Sequence, residues 1–376
     1  MVATGQISAS LEVLPSQIQP ASIDLRLGPV AYRVRASFLR GRSATLMTKV
    51  KELSFGSIAL DADAPTQLEP GAVYIIPLLE NLRLPSDVQG VANPKSTTGR
   101  LDLFTRLITE HGDQFDRVPL AYKGGLFVEV SSRTFPIRLR AGMTLNQLRF
   151  IRGASLDPIR NGELRALATR ENLVFSSDGT PTLDRVGEGV ELTADLVGDD
   201  NGIVAYRAKV AAPLIEMDKI NYYDPADYWD IIFRSKHQRL ILDKGAFYLL
   251  ASKALVSVPL EWSAEMVAHD PSMGEFRVHY AGFFDPGFGY GSKKGDISGT
   301  KAVLEVRAYE VPILLEDNDV VGRLHYYRMA DAPDKVYGSG IGSSYQRQGL
   351  KLSKQFKAPV APEQMHAITR PALVAH

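Results

Sequence analysis

The chain has 376 residues, 45% of them hydrophobic, and Lys+Arg equals Asp+Glu at 43 each. That is enough apolar material for one large core or two smaller ones, while a net charge of zero provides no field for non-specific binding to a nucleic acid polymer or an anionic membrane. Cysteine is absent, which excludes disulfides, thiolate nucleophiles, iron–sulfur clusters and every zinc site that needs a cysteine ligand.

The N-terminal stretch MVATGQISASLEVL lacks the basic start and continuous apolar run of a secretory signal, and longer apolar runs such as 72–79 are broken by Pro77. A cytoplasmic location without membrane spans is expected. The seven histidines show no HExxH or other tight ligand spacing, so no metal-ligand set is expected.

Along the first 150 residues, short runs of Val, Ile, Leu, Phe and Tyr (AVYIIPL, GLFVEVS, FPIRLR, LNQLRFI) alternate with Gly, Pro and Asp turns, which predicts strands. Between them lies PKSTTGRL (94–101), where Lys95 and Arg100 bracket Ser96, Thr97 and Thr98 at one turn. Cations, hydroxyls and turn N–H groups together can hold a phosphate, although GxxxxGK[ST] is absent and basic turns rich in hydroxyls are common. Glu129 follows in LFVEVSS, where strand alternation puts it on the face of Phe127, opposite Val128 and Val130. Two readings stay open for it: a carboxylate on a solvent face, or a partly buried acid with a raised pKa that exchanges protons with a bound water.

The pattern then repeats. LEPGAVY (68–74) recurs as LDKGAFY (242–248) at an offset of 174 residues, and residues 123–150 align without a gap on 299–326 at an offset of 176, bringing Glu129 onto Glu305 and Pro136 onto Pro312. A period this long means two copies of a domain rather than a solenoid unit. The expected organisation is copy one over 1–153, a linker with short strands over 154–213, and copy two over 214–376. Each copy is predicted to be an all-β barrel or jelly roll. The C-terminal stretch YGSGIGSSYQRQGLKLSKQFK (337–357) reads either as a flexible end or as a tail whose glycines let it close over a polyanion. In either case, deleting it from Tyr337 onward is expected to leave the melting behaviour almost unchanged. GFGYG (287–291) reads as a turn after Asp285-Pro286.

Taken in order, QPASIDLRLG (19–28), LEPGAVYIIP (68–77), PKSTTGRL, GGLFVEVSS with PIRLRAGMTLNQLRF behind it, FFDPGFGYG (283–291), AVLEVRA (302–308) and YQRQGLKLSK (345–354) resemble the trimeric dUTPase and dCTP deaminase superfamily, and within it dCTP deaminase. The resemblance implies a distorted, dUTPase-like β jelly roll of β-clip type in each copy. It also implies a homotrimer with active sites at subunit interfaces and a tail folded over the nucleotide. The implied activity is deamination of dCTP to dUTP and ammonia in pyrimidine deoxynucleotide metabolism, which supplies dUMP for dTMP synthesis. No zinc takes part, and Mg²⁺ enters only with the triphosphate.

Carried over residue by residue, the resemblance makes Glu129 the general base and acid, Ser96 the residue that holds the attacking water, and Arg100 and Arg117 its charged neighbours. Lys95, Thr97, Asp285, Tyr337, Tyr345, Gln348 and Lys354 become substrate-binding residues, and Ser344 stands where a Lys is usual. The copies differ: copy two has Phe283 where copy one has Arg117 and DPSMGEF (270–276) in place of PKSTTGR, but it keeps Asp285-Pro286-Gly287-Phe288 where copy one reads RVPLAY. The expectation is that copy one catalyses and copy two lends the tail and a sugar contact. Two alternatives are a dUTPase or bifunctional deaminase/dUTP diphosphatase, with an Asp in the segment of Asp285 activating water, and a non-enzymatic nucleotide-binding regulator.

Overall fold

The computed structural model describes residues 1–39, 45–268, 276–278, 282–338 and 345–359. The expected jelly-roll pattern of short strands is present twice. In copy one the apolar segments Val73–Arg83 and Lys123–Ser132 pair antiparallel at the centre of a sheet ordered Ser54–Ala59, Val30–Val34, Val73–Arg83, Lys123–Ser132 and Leu103–Thr109, with Ile7–Ala9 added beside Val73–Arg83. A second sheet runs Ile23–Arg26, Thr144–Arg152, Val88–Pro94 and Arg117–Val118. Val128, Val130, Tyr74, Ile76 and Leu107 face Leu25 and Leu148 across the gap between the two sheets, as period-2 alternation requires.

Copy two repeats this plan. Its main sheet is Trp229–Phe233, Ile203–Ala208, Phe247–Val256, Thr300–Ala308 and Phe276–Val278, and its second is Val190–Thr193, Val320–Arg328, Trp262–Ala268 and Phe283–Phe284. Residues 154–213 are therefore not a linker, contrary to the sequence expectation. Ile203–Ala208 and Val190–Thr193 are full members of copy two's sheets, and the helix Asn161–Glu171 buries Leu164, Leu167 and Ala168 in copy two's core. The i, i+3, i+4 spacing of those three residues is the helical signal, obscured in the sequence by the turn clusters that follow. The helix ends at Asn172, whose φ of 55° is the left-handed cap that Asn tolerates. In the opposite direction, Ile215–Glu216, assigned to copy two, crosses over to lie parallel to Ile137–Leu139 in copy one.

The outer faces of the two main sheets are covered differently. In copy one, Ile75, Ile108 and Phe127 point outward under the chain's own helix Leu46–Leu53, through Leu46 and Val50. In copy two the equivalent face carries Phe247, Leu249 and Val303, which pack into copy one's core. Copy two's main sheet is thus buried on both faces, with Tyr248, Leu250 and Leu304 turned inward, which explains why FYLLAS reads as a continuous apolar run.

The tail is part of this shared core. Phe356 is buried with ring centroids 5.2 Å from Tyr228 and 5.9 Å from Trp229, Leu352 is buried beside them, and the Gln355 side-chain amide donates to the Met217 carbonyl at 2.8 Å. The expectation that this end contributes little to the fold is corrected: Gly and Ser content hid two apolar anchors, Leu352 and Phe356, downstream of the glycines. Gly340 and Gly342, two of the glycines expected to let the tail move, and Ser344 lie outside the described residues.

Candidate active site

Pro94, with no N–H to donate, closes the strand Val88–Pro94, and the chain turns through a single helical turn at Ser96–Gly99. The Lys95 amide and the Thr98 hydroxyl both donate to the Leu145 carbonyl at 2.9 Å. Thr98 is therefore buried as an anchor while Lys95, Ser96, Thr97 and Arg100 line a cavity of about 570 Å³ between the copies. The far wall belongs to copy two: Phe283, Phe284, Asp285, Phe288, Glu305 and Tyr337, with Tyr345, Gln348 and Lys354 from the tail.

Glu305 is one of three buried acids that line this cavity, with Asp24 and Asp285. It sits on the outward face of Thr300–Ala308, opposite Leu249, and that face is the one covered by copy one. One carboxylate oxygen, Oε2, has no hydrogen-bond partner among the described residues. Burial raises its pKa well above the usual carboxylate range, the charge of Arg100 pulls it back, and Asp102 pushes it up again. Gly99 makes this closeness possible, since a Cβ there would lie 2.3 Å from Glu305 Oε2. Gly99→Ala should push the Ser96–Arg100 turn and the carboxyl group apart and lower the melting temperature, because the added Cβ meets a buried carboxylate. A melting curve checks this, and one superimposable on wild type would contradict it.

Arg100 is fixed on both sides. Its guanidinium donates to the Lys351 carbonyl at 2.7 Å and lies 3.8 Å over the Tyr345 ring, while the Tyr345 hydroxyl meets Thr97 Oγ1 at 3.0 Å and Ser353 Oγ donates to the Thr97 carbonyl at 3.0 Å. Two residues beyond Arg100, the buried Asp102 pairs with Arg307, which also donates to Thr134 Oγ1 at 3.0 Å. Arg307 thereby ties copy one's turn to copy two's strand beside Glu305, while the contacts of Arg100 and Thr97 tie it to the tail.

The other end of the cavity is cationic. Lys95 pairs with Asp24 and donates to Thr144 Oγ1 at 2.9 Å. Lys354 lies near enough that burial and the charge of Lys95 both lower its pKa. Burial raises the pKa of Asp24 and Lys95 opposes it, while Asp24 Oδ1 has no hydrogen-bond partner among the described residues. Gln348 donates to the Lys301 carbonyl at 3.0 Å and leaves its own carbonyl oxygen unpartnered among the described residues. The Tyr337 ring packs on Phe288 at 5.4 Å. At the rim, Lys335 ties the turn of Pro15–Gln17 down by donating to the Pro15 carbonyl at 2.8 Å and the Ile18 carbonyl at 3.1 Å.

Nine of the eleven residues singled out from the sequence line this cavity; Glu129 and Arg117 do not. Glu129 lies on the outward face of copy one's sheet, directly opposite Arg106, whose guanidinium it accepts at 2.7 and 3.1 Å. Arg106 stacks on Phe115 at 3.6 Å, and helix Leu46–Leu53 covers the same face. Neither open reading of Glu129 describes it fully: it is buried, but its partner is a cross-strand arginine. Arg117 is exposed on the edge strand Arg117–Val118. Sequence reading missed Glu305, Asp24 and Lys335 as lining residues. The signal for Glu305 was present in its alignment with Glu129, and that for Asp24 lay inside PASIDLRLG.

The comparisons with known proteins cover the same two halves. The family model of the 2′-deoxycytidine 5′-triphosphate deaminase N-terminal domain matches residues 1–154, and that of the C-terminal domain matches residues 160–356. The chain is similar to a dCTP deaminase, dUMP-forming, from Parafrankia sp., at 34% identity over 35% of this chain and 61% of that protein, so the match spans less than two thirds of that relative. A protein of the same name from Acidothermus cellulolyticus is 32% identical over 38% of this chain and 70% of its own length. The crystal structure of 2′-deoxycytidine 5′-triphosphate deaminase from Agrobacterium tumefaciens superposes with a TM-score of 0.80 at 43% identity, covering 88% of this chain and 95% of that one. Both halves match in order, and the solved structure follows the chain through both copies: the chain belongs to the dCTP deaminase family.

Proposed function

We propose that the chain deaminates dCTP hydrolytically to dUTP and ammonia at the cavity between its copies, with Glu305 as the proton-carrying group. The observation that carries this reading is Glu305 itself, a buried carboxyl group with a free oxygen and a raised pKa, held against Gly99 and Arg100. Its high proton affinity lets it take a proton from water as the oxygen attacks C4 of cytosine and pass that proton to N3. It then moves the hydroxyl proton of the adduct to the amino group, which leaves as ammonia. Arg100 limits how far the pKa rises, Ser96 orients the water, and the Asp102–Arg307 pair holds the two halves in place. Lys95, Thr97, Lys354 and Gln348 are assigned to the triphosphate, and Asp285, Tyr337 and the phenylalanine wall to the nucleoside. The dCTP deaminase route thus proceeds without the Cys-bound zinc of other deaminases.

Mg²⁺ belongs to this proposal as a companion of the triphosphate. Among the described residues no group of three or more His, Asp or Glu could hold a metal on its own; Asp24, whose Oδ1 is unpartnered among the described residues, would help hold a cation that arrives with the triphosphate. Bound there it would neutralise phosphate charge. A second reading, that dUTP is also cleaved to dUMP, is favoured by the names of two relatives and by the carboxylate of Asp24 at the cationic end. The homotrimer is likewise proposed; a mass in solution of three times 41.3 kDa would support it, and a monomer mass would contradict it. No helix among the described residues is long and apolar enough to cross a membrane.

Incubation with dCTP, CTP, dCMP and dUTP plus magnesium, with ammonia and phosphate products measured together, tests the reading. The expected outcome is stoichiometric ammonia from dCTP. Diphosphate release alongside it selects the dUMP-forming variant, and no ammonia from any cytosine nucleotide contradicts the proposal.

A further inference from the structure

Copy two carries Phe283 where copy one carries Arg117, so the strand leading to Asp285 has lost a guanidinium. The structure shows one in that place, supplied from the other copy. Arg149, on copy one's strand Thr144–Arg152, lies 4.1 Å over the Phe283 ring, brings one nitrogen to 3.6 Å from Asp285 Oδ1, and donates to the Ala264 carbonyl at 3.4 Å. Both Arg149 and Asp285 are buried, and Asp285 lines the cavity. Register explains the exchange: Arg117 pairs with Val91 and Val91 pairs with Arg149, so the three share one rung and one face of copy one's second sheet, directed at copy two. Arg117 ends at the exposed edge of that rung and Arg149 at its buried middle.

We propose that Arg149 is a positioning residue for catalysis. It crosses the boundary between the copies to hold Asp285 as an anion aimed into the cavity, where the carboxylate accepts a hydrogen bond from a hydroxyl or amino group of the nucleoside. The proposal rests on the reading of the cavity as a nucleotide site. A buried carboxylate without its cation protonates more readily, and the neutral acid accepts more weakly and turns one oxygen into a donor. Burial already pushes Asp285 up to about 6, with Arg149 pulling it down and Asp24 pushing it up. The other groups facing the pair are Glu265 on Trp262–Ala268, Tyr327 on Val320–Arg328, Arg117 on copy one's edge strand, and Tyr337. Only Arg149 is a buried cation in direct ion-pair range of Asp285 among the described residues.

The test compares Arg149→Met and Arg149→Lys with wild type in KM and kcat for dCTP from pH 5 to 8.5. A second readout needs no nucleotide: the ¹³C carboxyl titration of Asp285, assigned by its loss in Asp285→Asn. In wild type, KM should rise as pH falls through about 6. In Arg149→Met both the KM profile and the carboxyl titration should shift upward by a pH unit or more, with KM at pH 7 raised about tenfold and kcat changed less. Arg149→Lys should recover most of the shift. Unshifted titration in a folded Arg149→Met protein overturns the proposal, as does equal loss in both variants with an unchanged pH profile, which marks a merely structural arginine. A wild type that does not deaminate dCTP overturns the proposed function, whereas the titration decides the role of Arg149 independently.

Discussion

Glu305→Gln is expected to reduce deamination by about 10²–10⁴-fold while dCTP still binds, because the amide keeps the shape of the side chain and loses the proton it must carry. The same change at Glu129, the residue that the resemblance places in the catalytic role, should leave turnover within about threefold of wild type, since its partner is Arg106 rather than the cavity. Its cost should appear as a modest loss of stability, because the partly exposed Arg106 loses the charge of its buried partner. Calorimetric titration of dCTP beside turnover separates binding from chemistry. Full turnover in Glu305→Gln, or collapse of kcat with normal melting in Glu129→Gln, would reverse the assignment.

Phe356→Ala should lower unfolding free energy by about 3–5 kcal/mol, the usual cost of emptying a buried aromatic site. Phe356 closes a group of rings that joins Tyr223, Tyr228 and Trp229, and Trp229 in turn meets Phe135 of copy one at 5.3 Å. The same strand of tail presents Lys354 to the cavity and receives the Arg100 hydrogen bond at Lys351, so the variant should also bind dCTP more weakly. Denaturant unfolding read by tryptophan fluorescence measures the first effect. A loss below about 1 kcal/mol would restore the picture of a tail that folds only over nucleotide.

Much of this molecule is legible in its residues. The strands, the duplication and the hydroxyl-rich turn follow from local composition, and the turn does face a cavity because Pro94 and the anchors of Thr98 depend only on neighbours in copy one. Three things were not legible, each for a physical reason. Residues 154–213 hid strands behind turn clusters, because Val190–Thr193 acquires its meaning from a partner more than 120 residues away and Ile203–Ala208 from Trp229–Phe233 and Phe247–Val256, both outside the segment. Phe356 looked like the end of a flexible segment because its packing partners belong to distant sequence. The choice between Glu129 and Glu305 depended on what covers each sheet's outer face. Copy one covers its own with Leu46–Leu53 and Arg106, and copy two leaves its own to copy one's turn. Strand alternation assigns a face but does not say which element arrives on it.

On the proposed reading one chain completes its own site, with Arg100 from copy one and Glu305 from copy two. Co-expression of Arg100→Ala and Glu305→Gln chains carrying different tags, followed by purification of the mixed assembly, tests this most directly. Deamination is expected to be no higher than the sum of the two separate variants, because every site then holds one defect. Recovery of a substantial fraction of wild-type activity in the mixed assembly would mean that the two halves of the site come from different chains, and would contradict it.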